Sequence, residues 1–533
     1  MSQVARTGGM FRSNVVVALG TALSRLTGLA RVAAFAIVIG QSALADAYNS
    51  ANGSPNAVYE LLLGGVLSAS LVPLFTRHAK ENDDEATSAV VSVSIVALGV
   101  LTAIAILGAP WIFHLFSISP PPTVNPQLYR SVGTTLARVF LLQIFFYGLS
   151  ALGTALLQAR RRFFAAAWAP VLSNLIIIAS LWFINRSIKT PKVELGDVLV
   201  NAQLRYMLWG GATLGIAVMA VALLPALRAA EVPFRFTLNF KHPAVRQLLR
   251  LSGWTLGYVV ANQVAIVVVQ NLAFSSGEGR QDAYVKAFTF FVLPHGLLGV
   301  TIATTFVPEL ARMVLKKDKQ RFIDRSSLGV RMVALLTIPA GFGLFVLRKA
   351  LVGGTLQHRK FTAADTLITS RALGGFALGL AGFSVYLFVL RCFYAHQDAR
   401  TPFIINLFEN ALNIGLAWLL VGRYGVLGLG LSFALAYLLS SVWALLVLSY
   451  KVPGFPLRPV LVALGRMVLA AIVMAEAVWF VAHFVGGNTG LAALTRLVAG
   501  TIVGIAVYPA VLYALAAPEI RELQTRIQAR RAR

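Results

Sequence analysis

Ser24-Arg25-Leu26-Thr27-Gly28-Leu29-Ala30-Arg31 places two guanidinium groups inside an apolar run, 14–40, that is long enough to cross a bilayer. At about 1.5 Å per residue, Arg25 lies ~17 Å from the N-terminal membrane edge and Arg31 about 9 Å further on. A bare arginine at mid-membrane costs ~2.5–17 kcal/mol on different scales, so such a group usually faces water and meets an anion there. Arg31 has the option of snorkelling to the far face; Arg25 does so only with difficulty. Static structural pairing is the rival reading for both. Six residues put the two arginines about 120° apart on a straight helix. One cavity then serves both only if it is wide, or if the helix bends, and Gly28 is the weak point between them.

The rest of the 533-residue chain agrees with a membrane setting: 58% of it is hydrophobic, 12% is charged and the mean hydropathy is +0.76. A single cysteine, Cys392, excludes an internal disulfide and any Cys-cluster metal site. HExxH, P-loop and dinucleotide-binding patterns are absent, and the seven histidines show no ligand spacing. No carboxylate pair or nucleophile–base pair stands out, so the chain reads as no enzyme. The first apolar run is too long for a signal-peptide core and no cleavage site follows it; it reads as a retained helix.

Fourteen apolar runs of spanning length follow one another between 14 and 516, the second at 54–76. An even number places both termini on one side. With the N-terminus cytoplasmic, Lys and Arg favour the inside segments over the outside ones by roughly two to one. That bias accounts for the net charge of +26 without nucleic acid. The outer loops 186–205 and 348–360 are the basic exceptions. The tail from Pro518 to Arg533 reads as a basic amphipathic end on an anionic leaflet.

An internal repeat organises the runs. Val72-Pro73 with Arg77 recurs as Val307-Pro308 with Arg312, and Gly64 recurs as Gly299, each 235 positions on. Tyr147, Gln158, Arg161 and Asn174 match Tyr386, Gln397, Arg400 and Asn413 at 239. The unit is about six helices, so the two copies share one orientation, and transporters built this way carry substrate between their halves. The predicted architecture is an all-α polytopic membrane protein: a six-helix lobe at 1–228, a second at 229–450, an extra pair at 451–516 and a cytoplasmic tail at 517–533. Pro73 and Pro308 each remove a backbone hydrogen bond and bend their helices.

Several polar residues lie within the runs. Glu60 is at a depth similar to Arg31, and an Arg31–Glu60 pair is expected, either static or gating. Arg138, about 10–12 Å from the outer face, is a candidate for the same cationic path. Glu409 and Asn413 are i, i+4 on one helix face, as are Asn406 and Asn410. A buried carboxylate beside amide oxygens suits Na⁺ or H⁺ coupling; a satisfied contact between helices is the other reading. Asn262, Gln263, Gln270 and Asn271 read by default as interhelical glue.

SRLTGLAR, then Ala45-Asp46-Ala47-Tyr48, Pro55-Asn56 and Val72-Pro73, together resemble the opening of the MurJ/MviN lipid II flippases, within the multidrug/oligosaccharidyl-lipid/polysaccharide exporter superfamily. Leu293-Pro294-His295-Gly296-Leu297-Leu298-Gly299-Val300 resembles the family's second signature. The resemblance implies flipping of a polyprenyl-diphosphate-linked disaccharide-peptide to the outer leaflet of a bacterial cytoplasmic membrane, for peptidoglycan synthesis. It implies membrane lipids and cell-wall synthases as partners, no cofactor, and either ion coupling or use of the membrane potential. It assigns Arg25 and Arg31 to the diphosphate head and Asp46 to the family's acidic position. Two positions depart from the family pattern: Tyr59-Glu60 stand where an Arg pair is common, and Thr289 stands where an Arg is common. Lys286, a turn away, is the replacement nearest to hand. The acidic Na⁺ ligand expected on the seventh helix is absent. The alternatives are a flippase for another polyprenyl-diphosphate-linked glycan and a non-transporting scaffold that binds precursor. A cation-drug antiporter would want acidic and aromatic groups where this chain has Arg25 and Arg31.

Overall fold

The computed structural model describes residues 2–59, 67–187, 193–245 and 253–515, and among them every regular element is helical. The chain divides into two compact units, Met1–Asp282 and Ala283–Arg533. The first holds α1 (Ser2–Ile39), α2 (Ala43–Tyr59), α3 (Leu67–Glu81), α4 (Asp84–Leu107), α5 (Ala109–Leu115), α6 (Pro126–Leu141), α7 (Gln143–Ala159), α8 (Phe164–Ser187), α9 (Asp197–Val200), α10 (Ala202–Val221), α11 (Leu224–Ala229) and α12 (Gly253–Ser275). Next, α13 (Arg280–Pro294) runs through a π-helical turn, His295–Gly299, into α14 (Val300–Leu315). Then follow α15 (Lys319–Leu356), α16 (Ala363–Leu378), α17 (Leu380–Ala395), α18 (Arg400–Tyr424), α19 (Val426–Lys451), α20 (Leu457–Phe484) and α21 (Gly490–Ala514).

Twelve of the described helical spans are long and apolar enough to cross a membrane, and α16–α17, bent by 46° at Gly379, makes a thirteenth. The remaining predicted run, 54–76, falls on α2 and α3 and contains residues 60–66, outside the described residues. Large apolar side chains stay exposed along these spans, among them Leu107, Trp418, Leu419, Phe480 and Ile505. An outward apolar band of this kind belongs in lipid.

The repeat is written in the backbone as well as in the letters. Asp83 and Asp318, 235 apart, cap α4 and α15 with nearly the same geometry (φ −89, ψ 79 and φ −87, ψ 80). Each side chain accepts from the amide three residues on, Ala86 and Arg321. Each cap follows a residue with positive φ, Asn82 and Lys317. In the second block the positive-φ residues are Arg161 and Gln397, and the next helices begin at Phe164 and Arg400. The register there is 236, not the 239 read from matching letters. Three residues is nearly one helical turn, so a slipped alignment still presents similar faces.

In the first unit α1 and α10 pack on α8, while α2 packs on α6 and α3 on α7. Phe35, Tyr48, Phe113, Tyr129, Phe140 and Phe274 form its aromatic core. In the second, α15 is the hub against which α16, α17, α20 and α21 lie. Gly375 and Gly430 let α16 and α19 cross closely; a Cβ on Gly375 would stand 2.7 Å from the Gly430 carbonyl carbon.

Candidate functional site

Helix α1 runs unbroken through Gly28. The neighbouring helix α8 supports the segment. The Asn174 amide on α8 donates to the Ser24 carbonyl at 3.2 Å and to the Thr27 hydroxyl at 3.1 Å. The Thr27 hydroxyl turns back to the Leu23 carbonyl at 2.8 Å. Gly20, one turn earlier, abuts Trp168, whose ring nitrogen would lie 2.8 Å from a Cβ there. Arg31 continues this Gly20–Ser24–Thr27 stripe and is partly buried, within electrostatic range of Tyr48 and Tyr147. Arg25 lies about 120° away on the same continuous helix and is exposed. One arginine is thus held among phenols and the other is free to meet a ligand.

Asp46 is fully buried, and both its carboxylate oxygens accept backbone amides, from Gly279 at 2.6 Å and Asp282 at 2.8 Å. It caps the start of α13, where a negative charge complements the helix N-terminus. Beside it the Asn49 amide donates to Asp282 at 2.8 Å and the Ser50 hydroxyl to Gln281 at 2.9 Å. The Asn271 side chain donates to the Leu115 carbonyl at 2.6 Å and accepts from the Ile118 amide at 2.8 Å, acting as the expected glue. Arg138 is exposed on the last turn of α6. Glu60, and with it the Arg31–Glu60 pair, lies outside the described residues.

In the second unit Lys286 is buried, with its ammonium 5.5 Å from the centre of the Phe361 ring. The Thr289 hydroxyl bonds to its own helix at Val285. Glu409 and Asn413 share a buried face of α18 with Asn406 and Asn410. The Asn413 oxygen accepts from the Ser432 hydroxyl at 3.1 Å, and the Asn410 amide donates to the Asn406 carbonyl at 2.9 Å. Neither Glu409 oxygen has a hydrogen-bond partner of good geometry, though the Tyr437 hydroxyl is within reach. Leaving such a group unsatisfied costs ~1–3 kcal/mol when neutral and more when charged.

A feature with no signal in the linear sequence is a cavity of about 780 Å³ among α15, α20 and α21. Met332, Leu336, Gly343, Met474, Gly504 and Tyr508 line it, and its walls are almost wholly apolar. Its lining runs from Pro294 to Leu512, 218 residues apart in the chain, on helices whose apolar positions look alike in sequence. Among the described residues no group of three or more His, Cys, Asp or Glu is arranged to hold a metal ion. In the first unit an exposed guanidinium suits recognition of an anion; in the second, the apolar cavity suits an alkyl chain.

Comparison with known proteins adds family to geometry. A family model described as "Lipid II flippase MurJ" matches residues 35–500. A protein named "Lipid II flippase MurJ" from Burkholderia cenocepacia is 28% identical over 443 residues, covering 81% of this chain and 82% of its own length. A solved structure described as "Lipid II flippase MurJ, inward closed conformation" superposes with a TM-score of 0.76, at 22% identity, over 96% of this chain and 99% of that one. An inward-facing MATE-family multidrug resistance transporter of the MOP superfamily shares the fold with a TM-score of 0.65, at 14% identity, over 82% of this chain and 99% of its own.

Proposed function

The chain belongs to the lipid II flippase MurJ family, and from that premise we propose that it flips lipid II from the inner to the outer leaflet of the bacterial cytoplasmic membrane. The observation that carries this reading at the site is Arg25, exposed on a membrane-spanning helix where only an anion or water repays its presence. A diphosphate takes charge-assisted, often bidentate hydrogen bonds from guanidinium. Arg25 is our first contact for it. Arg31, within electrostatic range of Tyr48 and Tyr147, is the second. Asp46 positions the start of α13 and does not touch the head group. Arg138, exposed on α6, extends the cationic surface of the first unit; Lys286 is buried in the second.

Only the head has to cross the apolar slab; the polyprenyl tail stays in hydrocarbon. We place part of that tail in the cavity among α15, α20 and α21, whose walls are almost wholly apolar. Transport proceeds by alternating access without bond making or breaking. Both termini are cytoplasmic, in line with the distribution of Lys and Arg. Cell-wall synthases that consume the flipped precursor are the expected protein partners. Tyr59 and Thr289, standing where arginines are common, favour one second reading: a head group other than the lipid II disaccharide-pentapeptide on the same diphosphate carrier.

The test is rescue. Cells depleted of their own flippase and supplied with this chain should again present lipid II on the outer leaflet, measured by a head-group-specific cleaving enzyme. An inserted, abundant protein that leaves lipid II inside would refute the reading. Rescue of another lipid-linked glycan alone would establish the second.

A further inference from the structure

Past the end of α11 the chain reads Val232-Pro233-Phe234-Arg235-Phe236-Thr237-Leu238-Asn239-Phe240-Lys241, with large apolar side chains at every second position from Phe234. Glu231, at φ 50, reverses the chain there. Its amide donates to the Arg228 carbonyl at 2.9 Å, and the Val232 amide donates to Leu227 at 3.2 Å, the paired bonds of a Schellman stop. Pro233 cannot resume a helix, and the residues after it run without regular structure beside α4. The Arg235 amide donates to the Ser88 hydroxyl at 3.1 Å and the Thr237 amide to the Ser92 hydroxyl at 3.0 Å. The spacing fits: two extended residues advance about 6.6 Å and four helical ones about 6 Å. After a turn at Asn239, Ala244 and Val245 are buried in the core that holds Leu74 and Phe75.

This strap leaves Phe234, Phe236, Leu238 and Phe240 50%, 61%, 51% and 60% exposed. Extended residues alternate faces, so the four form one apolar row, opposite Arg235, Thr237, Asn239 and Lys241. Ser88 and Ser92 lie about 6 and 12 Å along α4 from Asp84 at its charged start. Interfacial amphipathic elements bury their apolar face to a similar depth, about 5–10 Å. Among the described residues the Phe236 and Leu238 amides have no hydrogen-bond partner. Such amides are costly in hydrocarbon, whereas water and lipid head groups satisfy them at the interface. Arg235 and Lys241, both exposed, reach outward from the other row.

We propose that residues 232–241 form an in-plane membrane strap, pinned to α4 and seated in one leaflet by its row of three phenyl groups and a leucine. Which leaflet this is rests on the orientation proposed above, with the α3–α4 turn cytoplasmic; the insertion itself does not.

The full chain in lipid nanodiscs tests it without any need for flipping. Cys392 is fully buried, so a thiol introduced at the surface takes a spin label selectively. Each position from Phe234→Cys to Lys241→Cys is labelled in turn, and its collisions with oxygen, which favours lipid, are compared with those of a water-soluble nickel chelate. The oxygen-to-chelate ratio should rise and fall with a period of two, peaking at Phe236 and Leu238. Lys80→Cys, exposed at the end of α3, should give the aqueous ratio. A strap that gives the Lys80 ratio throughout lies in water, as a protein-docking edge would, and overturns the proposal. A uniformly oxygen-dominated profile also overturns it, because the segment would then lie wholly within hydrocarbon.

Discussion

A guanidinium in a membrane has to be answered by something, and the two in α1 are answered differently. Arg31 sits among phenols on the stripe that packs against α8, while Arg25 is open. Arg25→Ala should therefore lower flipping by about tenfold or more, the worth of a charged hydrogen bond, while insertion is unchanged; Arg25→Lys should recover part of the loss, because a point charge replaces a fork. Initial flipping rates in proteoliposomes measure both. At the membrane edge Asp398 binds Lys451 at 2.7 Å and accepts from the Thr401 amide at 3.0 Å. Partial burial pushes its carboxyl up, but the bonds from Lys451 and Thr401 outweigh that and draw it from 3.8 down to about 2. A depressed folded value stabilises the fold above the ordinary carboxylate range and is lost as pH falls through the folded value. Asp398→Asn should thus cost ~1–2 kcal/mol at neutral pH. The difference in melting temperature from the parent should narrow between pH 4 and pH 2, about the window in which the parent loses the same interaction.

Helix crossings are set by small residues. At the α16–α19 crossing Gly375 meets Gly430, and a methyl group on either would press on backbone: 2.7 Å from the Gly430 carbonyl carbon in one case, 2.6 Å from the Ala372 carbonyl oxygen in the other. Gly375→Ala should destabilise the detergent-solubilised protein by ~1–3 kcal/mol. Gly415→Ala is the control: nothing lies within 4 Å of a Cβ there, and alanine is the better helix former by roughly 0.5–1 kcal/mol. Thermal unfolding followed by tryptophan fluorescence separates the two. The bend at Gly379 and the π turn at His295–Gly299 show why spanning lengths alone misjudge helix shape. Apolar periodicity records that a segment is helical and buried in lipid, not where its hydrogen-bond ladder slips.

For the molecule as a whole the extra helix pair matters most. Helices α20 and α21 lie against α15 and enclose the apolar cavity that we assign to the polyprenyl tail. Gly504→Trp should fill it: a Cβ there already meets Met474 and Val478 at 3.6 Å. Flipping of a long-tailed substrate should slow, with a smaller effect on a short-tailed analogue, while a cavity irrelevant to the tail would leave both rates alike.

Read alone, the chain determined much of this. Composition and run length set an all-helical membrane protein, and two arginines in one apolar run singled out α1. The shared Val-Pro endings revealed a repeat whose backbone caps agree at 235. These properties are local, because hydropathy, charge and capping act within a few turns of helix. Tertiary structure alone decided the rest: the 236 register of the second block, the Asn174 bridge to α1 at Ser24 and Thr27, the capping role of Asp46, the burial of Glu409 and the apolar cavity. Each depends on which faces meet across residues far apart in the chain. A uniformly apolar helix carries little record of its partners, since in lipid every face is equally at home and close packing makes the choice.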